Sequence, residues 1–127
     1  MSGNRFLLNT NAAGLYLDDK LFAANYLKQG AIISISVITQ LKFLSNPELT
    51  IKSKFFFDEF VELIEIYPVL RENKDLLNQV VVIRKKYKLK LPDEIIASTT
   101  IVNNATLLSA DAVFSKIHNL KFQFIKS

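Results

Sequence analysis

Polar side chains that can bind a ligand follow several apolar segments of this chain. They are amides, hydroxyls, carboxylates and one ammonium group, at Asn9, Thr10, Thr39, Lys42, Asp93, Ser109 and Asp111. If the apolar segments are parallel strands, these residues lie at or near the carboxyl ends, where open α/β sheets bind their ligands. The residue types and their positions therefore predict a polar ligand-binding site assembled from separate parts of the chain.

The segments that must position these residues alternate between strand and helix patterns. Strands are predicted at residues 6–8, 32–35, 65–67, 106–109 and 121–125. Helices are predicted at residues 21–27, 36–44, 51–63, 73–87 and 92–102, with a short helical turn around 113–117. The β-branched run Ile32, Ile33 and Ile35 is typical of a parallel strand that is covered on both faces. This alternation predicts an α/β fold with a mostly parallel sheet.

Length and composition are those of one compact domain, expected to span residues 1–127. Half of the 127 residues are hydrophobic and ten are Phe, so an ordinary core can form. The absence of cysteine excludes disulfides and thiolate metal sites. Residues 1–8 have too few apolar side chains for a signal peptide, and polar residues interrupt the apolar stretch 31–44 well short of a membrane span. A soluble, cytoplasmic protein is expected.

A run of basic residues is a candidate nucleic-acid contact. The net charge is +4 and the pI is about 9.3, which permits a polyanionic partner. The charges concentrate at Arg84, Lys85, Lys86, Lys88 and Lys90, around Tyr87. Such a run can contact phosphates. The simpler interpretation, which we favour, is a solvated helix C-terminus, where cations oppose the negative end of the helix dipole.

Four segments in order carry a resemblance to a known family: FLLNTN, ISVITQLKFL, KLPDEIIASTT and ATLLSADAVF. With them the chain resembles the PIN-domain family, in particular the VapC-type toxin ribonucleases of bacterial toxin–antitoxin pairs. The resemblance covers nearly the whole chain. It implies a single PIN-like domain with a mostly parallel central sheet flanked by helices. It also implies an acidic pocket that holds Mg²⁺ or Mn²⁺ and activates water to cut an RNA phosphodiester.

The catalytic positions that the resemblance implies are Asn9, Lys42, Asp93 and Asp111. Only two of the four are acidic, so the metal ligands would be Asp93 and Asp111, with binding weakened or lost. Two carboxylates and one ammonium group leave a net charge of −1, against −4 for four carboxylates. An alternative alignment puts Gln40 at the second position and restores no carboxylate. We expect Lys42 to reach toward Asp93 and Asp111 and to neutralise them in place of a cation.

Simpler interpretations of the same residues stay open. Asp93 favours the dipole of its helix, and Asp111 can cap the helical turn that follows it. The hydroxyls of Thr10, Thr39 and Ser109 either support the pocket or cap helices. His118 is given no role.

The aromatic residues between positions 55 and 60 exceed what one helical face can bury. Core packing is the default interpretation. The surplus can also form a homodimer contact or receive an antitoxin, as the resemblance implies.

Three functions remain on the sequence alone. The first, which the charge count favours, is a PIN-type protein with impaired or lost hydrolysis that keeps a surface for an antitoxin or for RNA. The second is an active Mg²⁺- or Mn²⁺-dependent endoribonuclease that uses Asp93 and Asp111. The third is an interaction module without nucleic-acid contact.

Overall fold

A computed structural model describes residues 4–18 and 30–126 of the chain. Its strands are β1 (Arg5–Leu8), β2 (Ile32–Ser36), β3 (Glu65–Tyr67), β4 (Thr106–Ser109) and β5 (Phe122–Phe124). Its α-helices are α1 (Thr10–Asp18), α2 (Val37–Leu44), α3 (Ile51–Val61), α4 (Lys74–Lys86) and α5 (Leu91–Val102), and a 3₁₀ helix spans Ala112–Lys116. The predicted α/β fold is confirmed.

The strands form one sheet in the order β3-β2-β1-β4-β5, and every neighbouring pair is parallel. From β1 the chain first adds strands on one side, β2 and then β3. It later adds β4 and β5 on the other side. The order therefore reverses between β1 and β4, and a crevice forms at such a point beyond the carboxyl ends of the strands.

Two apolar layers hold the sheet, one on each face. Alternate residues of β1 point to opposite faces, so Phe6 and Leu8 join one layer while Leu7 joins the other. In the first layer Phe43 stacks on Phe57, with ring centroids 4.2 Å apart. In the second, α4 and α5 pack with the 3₁₀ helix; its buried members are Leu7, Ile83, Ile96, Ala97, Ala105, Leu107, Phe114, Ile117 and Leu120.

Local signals explain where most helices begin. The side chains of Ser36, Thr50 and Asn73 accept hydrogen bonds from the first turns of α2, α3 and α4. At the other end of α5, Asn104 adopts a positive φ of 54°, as expected of an asparagine after a helix. Among the aromatic residues of α3, Phe57 and Phe60 are buried, whereas Phe55 and Phe56 remain largely exposed.

The structure differs from the sequence predictions in several places. Helix α1 was not predicted, although Asn9 supplies its cap. Helix α5 begins at Leu91, so Pro92 is its second residue, and α3 ends at Val61 rather than near residue 63. The helix predicted at residues 21–27 lies outside the described residues. Within the described ranges, no helix is long and apolar enough to cross a membrane.

The buried strand β2 offers a test of where the fold obtains its stability. Ile35 is 0% exposed, whereas Ile51 on α3 is 91% exposed. Ile35→Ala is expected to lower the free energy of unfolding by about 2–5 kcal/mol, because the core cannot fill the space left behind. Ile51→Ala, the matched control, should change it by less than about 0.5 kcal/mol. Urea denaturation measures both, and equal losses would contradict the assigned burial.

Candidate functional site

A cleft of about 360 Å³ opens at the carboxyl ends of β1 and β4, where the strand order reverses. Its lining is Asn9, Thr10, Asn11, Lys42, Lys90, Asp93, Ile96 and Asp111. The residue after β1, the start of α1, and residues of α2, the start of α5 and the turn after β4 thus meet at one place. The cleft brings together the four positions that the sequence singled out as catalytic, and their roles stay predictions.

The segment after β1 supplies three consecutive polar residues to the cleft, Asn9 and the first two residues of α1, Thr10 and Asn11. Asn9 is buried, and its Oδ1 accepts a hydrogen bond from the Ala12 N–H at 3.2 Å, which caps α1. Its backbone N–H donates to the Leu108 carbonyl at 3.4 Å. The Asn11 Oδ1 accepts from the Ala110 N–H at 3.0 Å and so ties the end of β1 to the end of β4. These contacts hold the two walls of the cleft together.

The end of β4 places Asp111 through a short network of side-chain caps. Ser109 is fully buried, and its Oγ accepts from the Asp111 N–H at 3.0 Å. Asp111 in turn accepts from the Val113 N–H through Oδ1, also at 3.0 Å, and caps the 3₁₀ helix. Asp111 therefore both caps a helical turn and lines the cleft. Ser109 shapes the turn and is not part of the lining.

Asp93 lies in the first turn of α5 and is partly buried. Burial raises the pKa of its carboxyl group above the usual 3.8. The ammonium groups of Lys42 and Lys90 oppose this shift, and the neighbouring Asp111 and Glu94 reinforce it. A carboxyl group with a raised pKa holds its proton more tightly than a free aspartate does.

The salt bridges expected of Lys42 are not formed. The side chain lines the cleft and acts electrostatically on Asp93. Among the described residues, however, the ion pairs within 4.0 Å are Arg5–Glu65, Lys54–Asp58 and Arg84–Glu94. Lys42 is exposed near the end of α2, where water competes with direct pairing. Its charge therefore acts on the cleft through space.

Two threonines that the sequence proposed as supporting residues behave differently. Thr10 lines the cleft, and its Oγ1 is buried without a hydrogen-bond partner in the described part of the chain. Thr39 is fully buried in α2, also with an unpartnered hydroxyl, but it is not part of the cleft lining. Of these two threonines, only Thr10 places an unpartnered hydroxyl group beside the cleft.

The basic run divides into residues with different surroundings. Arg84 donates a hydrogen bond of 2.7 Å from Nη1 to Oε1 of Glu94, whose side chain is 1% exposed. The ammonium group of Lys86 lies 5.6 Å from the centre of the Tyr87 ring. Lys85 and Lys88 are exposed, and neither lines the cleft. Arg84 thus stabilises the contact between α4 and α5. Its guanidinium group is already paired with a carboxylate and is not a free cation for phosphate binding.

Sequence reasoning did not assign three residues of the lining to the site, the apolar Ile96 and the polar Asn11 and Lys90. Lys90 is the N-cap residue of α5, and its ammonium group acts on Asp93. Its place in the cleft was hidden because the basic run looked like the end of α4. Asn11 stood within the quoted FLLNTN segment, but only the fold shows that it joins the first turn of α1 to the residue after β4.

The donor set does not fit a pair of divalent cations. The described residues contain no group of three or more Asp, Glu, His or Cys side chains that could hold a metal ion. Two carboxylates and two ammonium groups line the cleft, so their formal charges cancel. One oxygen each of Asn9 and Asp111 already accepts a backbone N–H. Mg²⁺ and Mn²⁺ require several oxygen ligands whose charge offsets their own.

Comparison with known proteins identifies the fold. The PIN domain family model matches residues 7–120. The chain resembles the VapBC2 structure from Rickettsia felis, bound to a promoter DNA fragment, with 21% identity over 96% of this chain and 99% of the other and a TM-score of 0.77. A toxin–antitoxin complex from Klebsiella pneumoniae gives 22% identity, coverages of 90% and 93% and a TM-score of 0.73. VapBC-1 from nontypeable Haemophilus influenzae gives 18% identity, coverages of 94% and 97% and a TM-score of 0.73. No curated protein sequence matches the chain.

The raised pKa of Asp93 predicts a pH dependence of stability. Below the unfolded value of 3.8 the carboxyl group is protonated in both states and has no effect. As pH rises from there through the higher folded value, ionisation costs the folded protein more than the unfolded chain, so stability is lost. Asp93→Asn should therefore be more stable than the wild type at neutral pH, with the difference vanishing in acid. Urea denaturation across this pH range measures the difference.

The control for this measurement is Asp75→Asn, at an exposed carboxylate in the first turn of α4. Removing that charge loses a favourable interaction with the helix dipole, so no gain in stability is expected at neutral pH. A gain of the same size in both variants would show that the effect does not come from the cleft.

The Arg84–Glu94 pair gives a second prediction. Arg84→Met leaves the buried Glu94 carboxylate without its partner and should lower the free energy of unfolding by roughly 1–3 kcal/mol. The neighbouring Lys85→Met removes a charge from the same helix end without exposing a buried group, and its effect should be smaller. Adding Glu94→Gln to Arg84→Met should recover part of the loss. Chemical denaturation of the wild type, Arg84→Met, Glu94→Gln and the variant with both substitutions forms a double-mutant cycle, and additive losses would contradict the pairing.

Proposed function

This chain belongs to the PIN domain family, and we propose that it is a VapC-like member of the toxin–antitoxin lineage with impaired or lost ribonuclease activity. PIN domains generally use a divalent metal, and the resemblance to VapC-type toxins supports RNA as the proposed substrate class. In such a protein the fold and the surfaces for its partners are retained, whereas the metal-dependent chemistry is lost. Residues 1–127 form one domain in this proposal.

The charge of the cleft is the observation that carries the proposal. The carboxylates of Asp93 and Asp111 and the ammonium-bearing side chains of Lys42 and Lys90 line the same cleft. A divalent cation entering this cleft meets no net negative charge, and its attraction to the carboxylates is opposed by the two lysines. Dehydrating Mg²⁺ is costly, so ligands must supply charge and several oxygens at once. These side chains supply neither in sufficient number.

The changes at Asn9 and Lys42 have different consequences. Asn9 keeps the shape of an aspartate and the ability to cap α1, so its substitution removes charge from the cleft without disturbing the fold. Lys42 adds a positive charge from the exposed end of α2, where a long side chain does not disrupt the core. Both changes are compatible with a stable PIN domain. Together they alter the electrostatics of the site alone.

An antitoxin protein is the proposed partner, with a homodimer as the proposed form of the chain itself and the cytoplasm as its location. Exposed apolar side chains support such contacts. Phe55 and Phe56 on α3 are 60% and 45% exposed, and Leu63, just beyond that helix, is 85% exposed. Apolar groups concentrated on one part of a surface are typical of protein–protein contact.

An active Mg²⁺- or Mn²⁺-dependent endoribonuclease is the second candidate. The unpartnered Thr10 hydroxyl favours it, because this oxygen can join Asp93 and Asp111 as a third donor in the cleft. The charge of the two lysines opposes it. Cleavage assays separate these two functions.

Reversal of the two substituted positions tests the proposal. The wild-type protein should leave labelled structured RNA intact in Mg²⁺ or Mn²⁺, and its melting temperature should not respond to either ion. Asn9→Asp combined with Lys42→Glu restores four carboxylates and should produce a metal-dependent rise in melting temperature, because only the folded protein binds the ion. Gain of metal-dependent RNA cleavage by this double variant is the second expected result.

Asp93→Asn combined with Asp111→Asn is the matched control, since Asn retains the side-chain oxygen that caps the 3₁₀ helix. Adding both substitutions to the reversed protein should abolish the metal response. RNA cleavage by the wild type that disappears in the Asp93→Asn, Asp111→Asn variant would overturn the proposal and establish the active nuclease.

A further inference from the structure

We infer that Lys42 and Lys90 form a binding site for a phosphodiester group in the cleft, and that this site works without a metal ion. The inference rests on the proposed function, because a bound divalent cation would occupy the same space. It goes beyond that function by assigning a ligand to the altered site. The lysines supply the positive charge that a metal ion supplies in an acidic pocket.

The two lysines approach the cleft from different elements. Lys42 belongs to the last turn of α2, and Lys90 directly precedes α5. Both side chains line the cleft, both interact electrostatically with Asp93, and neither forms an ion pair within 4.0 Å among the described residues. Their ammonium groups therefore keep donors available for an incoming anion.

Further donors lie beside the lysines. Lys90 is the N-cap of α5 but makes no side-chain hydrogen bond to the first turn of that helix. The positive end of this 12-residue helix is thus not capped by a side chain at the cleft. The buried Oγ1 of Thr10, which has no partner within the described ranges, adds a hydroxyl donor. Ammonium, backbone N–H and hydroxyl donors together match the oxygens of a phosphate group.

The two carboxylates of the cleft affect how strongly it binds a phosphate group. Asp93 and Asp111 repel a phosphate, and the two lysines offset them. Four carboxylates in the same place would exclude a phosphate unless a metal ion bridged it. In this cleft the carboxylates weaken phosphate binding, whereas in a metal-dependent cleft they are required for it. The effect of removing them therefore has opposite signs in the two cases.

The size of the cleft suits one phosphodiester with part of its nucleoside. Its volume of about 360 Å³ lies at the lower end of the range of small-molecule sites. A single-stranded RNA backbone and free inorganic phosphate present the same chemistry here. We assign the site to the RNA strand, because a polyanion is attracted to the positive charge of the two lysines more strongly than a single free phosphate is.

The first experiment measures binding of a fluorescently labelled single-stranded RNA to the purified full chain in EDTA, by anisotropy. Lys42→Gln and Lys90→Gln should each weaken binding roughly threefold to fivefold, and each should reduce the salt slope by about 0.7. Lys74→Gln, which removes a charge from an exposed lysine outside the cleft, is the matched control and should change neither. Equal effects in all three variants would overturn the inference.

The second experiment measures whether removal of the two carboxylates strengthens or weakens RNA binding. Asp93→Asn combined with Asp111→Asn should tighten RNA binding in EDTA roughly threefold or more, since two repelling charges are removed. Weaker binding in that variant, or wild-type binding that appears only with Mg²⁺ or Mn²⁺, would overturn the inference. Circular dichroism and thermal melting of each variant show that the fold is retained.

Competition separates the two sources of the ligand and the two proposals. Inorganic phosphate should displace the RNA poorly even at millimolar concentration. Displacement by phosphate at a concentration equal to that of the RNA would assign the site to free phosphate and overturn the assignment to RNA. Metal-dependent cleavage by the wild type would refute the proposed function. Lysine-independent binding without cleavage would refute only the present inference.

Discussion

The reversal of strand order between β1 and β4 is the constraint on which the rest of the structure depends. Because all strands are parallel, their carboxyl ends share one edge, and the chain leaves β1 and β4 toward different sides. The hydrogen bond from the Ala110 N–H to Asn11 Oδ1 joins the two ends across the opening. The segments after β1, around the start of α5 and after β4 therefore face a common space, to which α2 adds Lys42.

Different residues determine the stability of the fold and the charge of the cleft. Stability comes from two apolar layers, in which Leu7, Ile35 and Leu107 are wholly excluded from solvent. Lys42 and Asp111 are exposed at the cleft, and Asn9 keeps its helix cap. Exchange of a carboxylate for an amide or an ammonium group at these positions changes the local potential and leaves the core unaltered. A change of charge at these positions is therefore compatible with the fold.

Two acidic neighbours in α5 illustrate how context assigns different properties to similar residues. Glu94 points into the interface of α4 and α5 and has Arg84 as its partner at 2.7 Å. Asp93, one residue earlier, faces the cleft, where burial outweighs the attraction of the lysines and raises its pKa. The Arg84–Glu94 pair anchors the first turn of α5 and so fixes where Asp93 and Lys90 stand. The basic run is thus divided between a structural arginine and a lysine of the cleft.

The sequence by itself determined the alternation of strands and helices and the family, and it predicted that Asn9 and Lys42 stand where the family has acids. These follow from hydrophobic periodicity and from residue identity at recognisable positions, both of which are local. It did not reveal α1, because Asn9 was interpreted as a site residue while its side chain also begins a helix. Only the tertiary structure decided that Lys90 enters the cleft, that Lys42 acts on Asp93 without a salt bridge, and that Arg84 is committed to Glu94. Such relations depend on the distance and burial of side chains from separate elements, and chain packing alone sets these quantities.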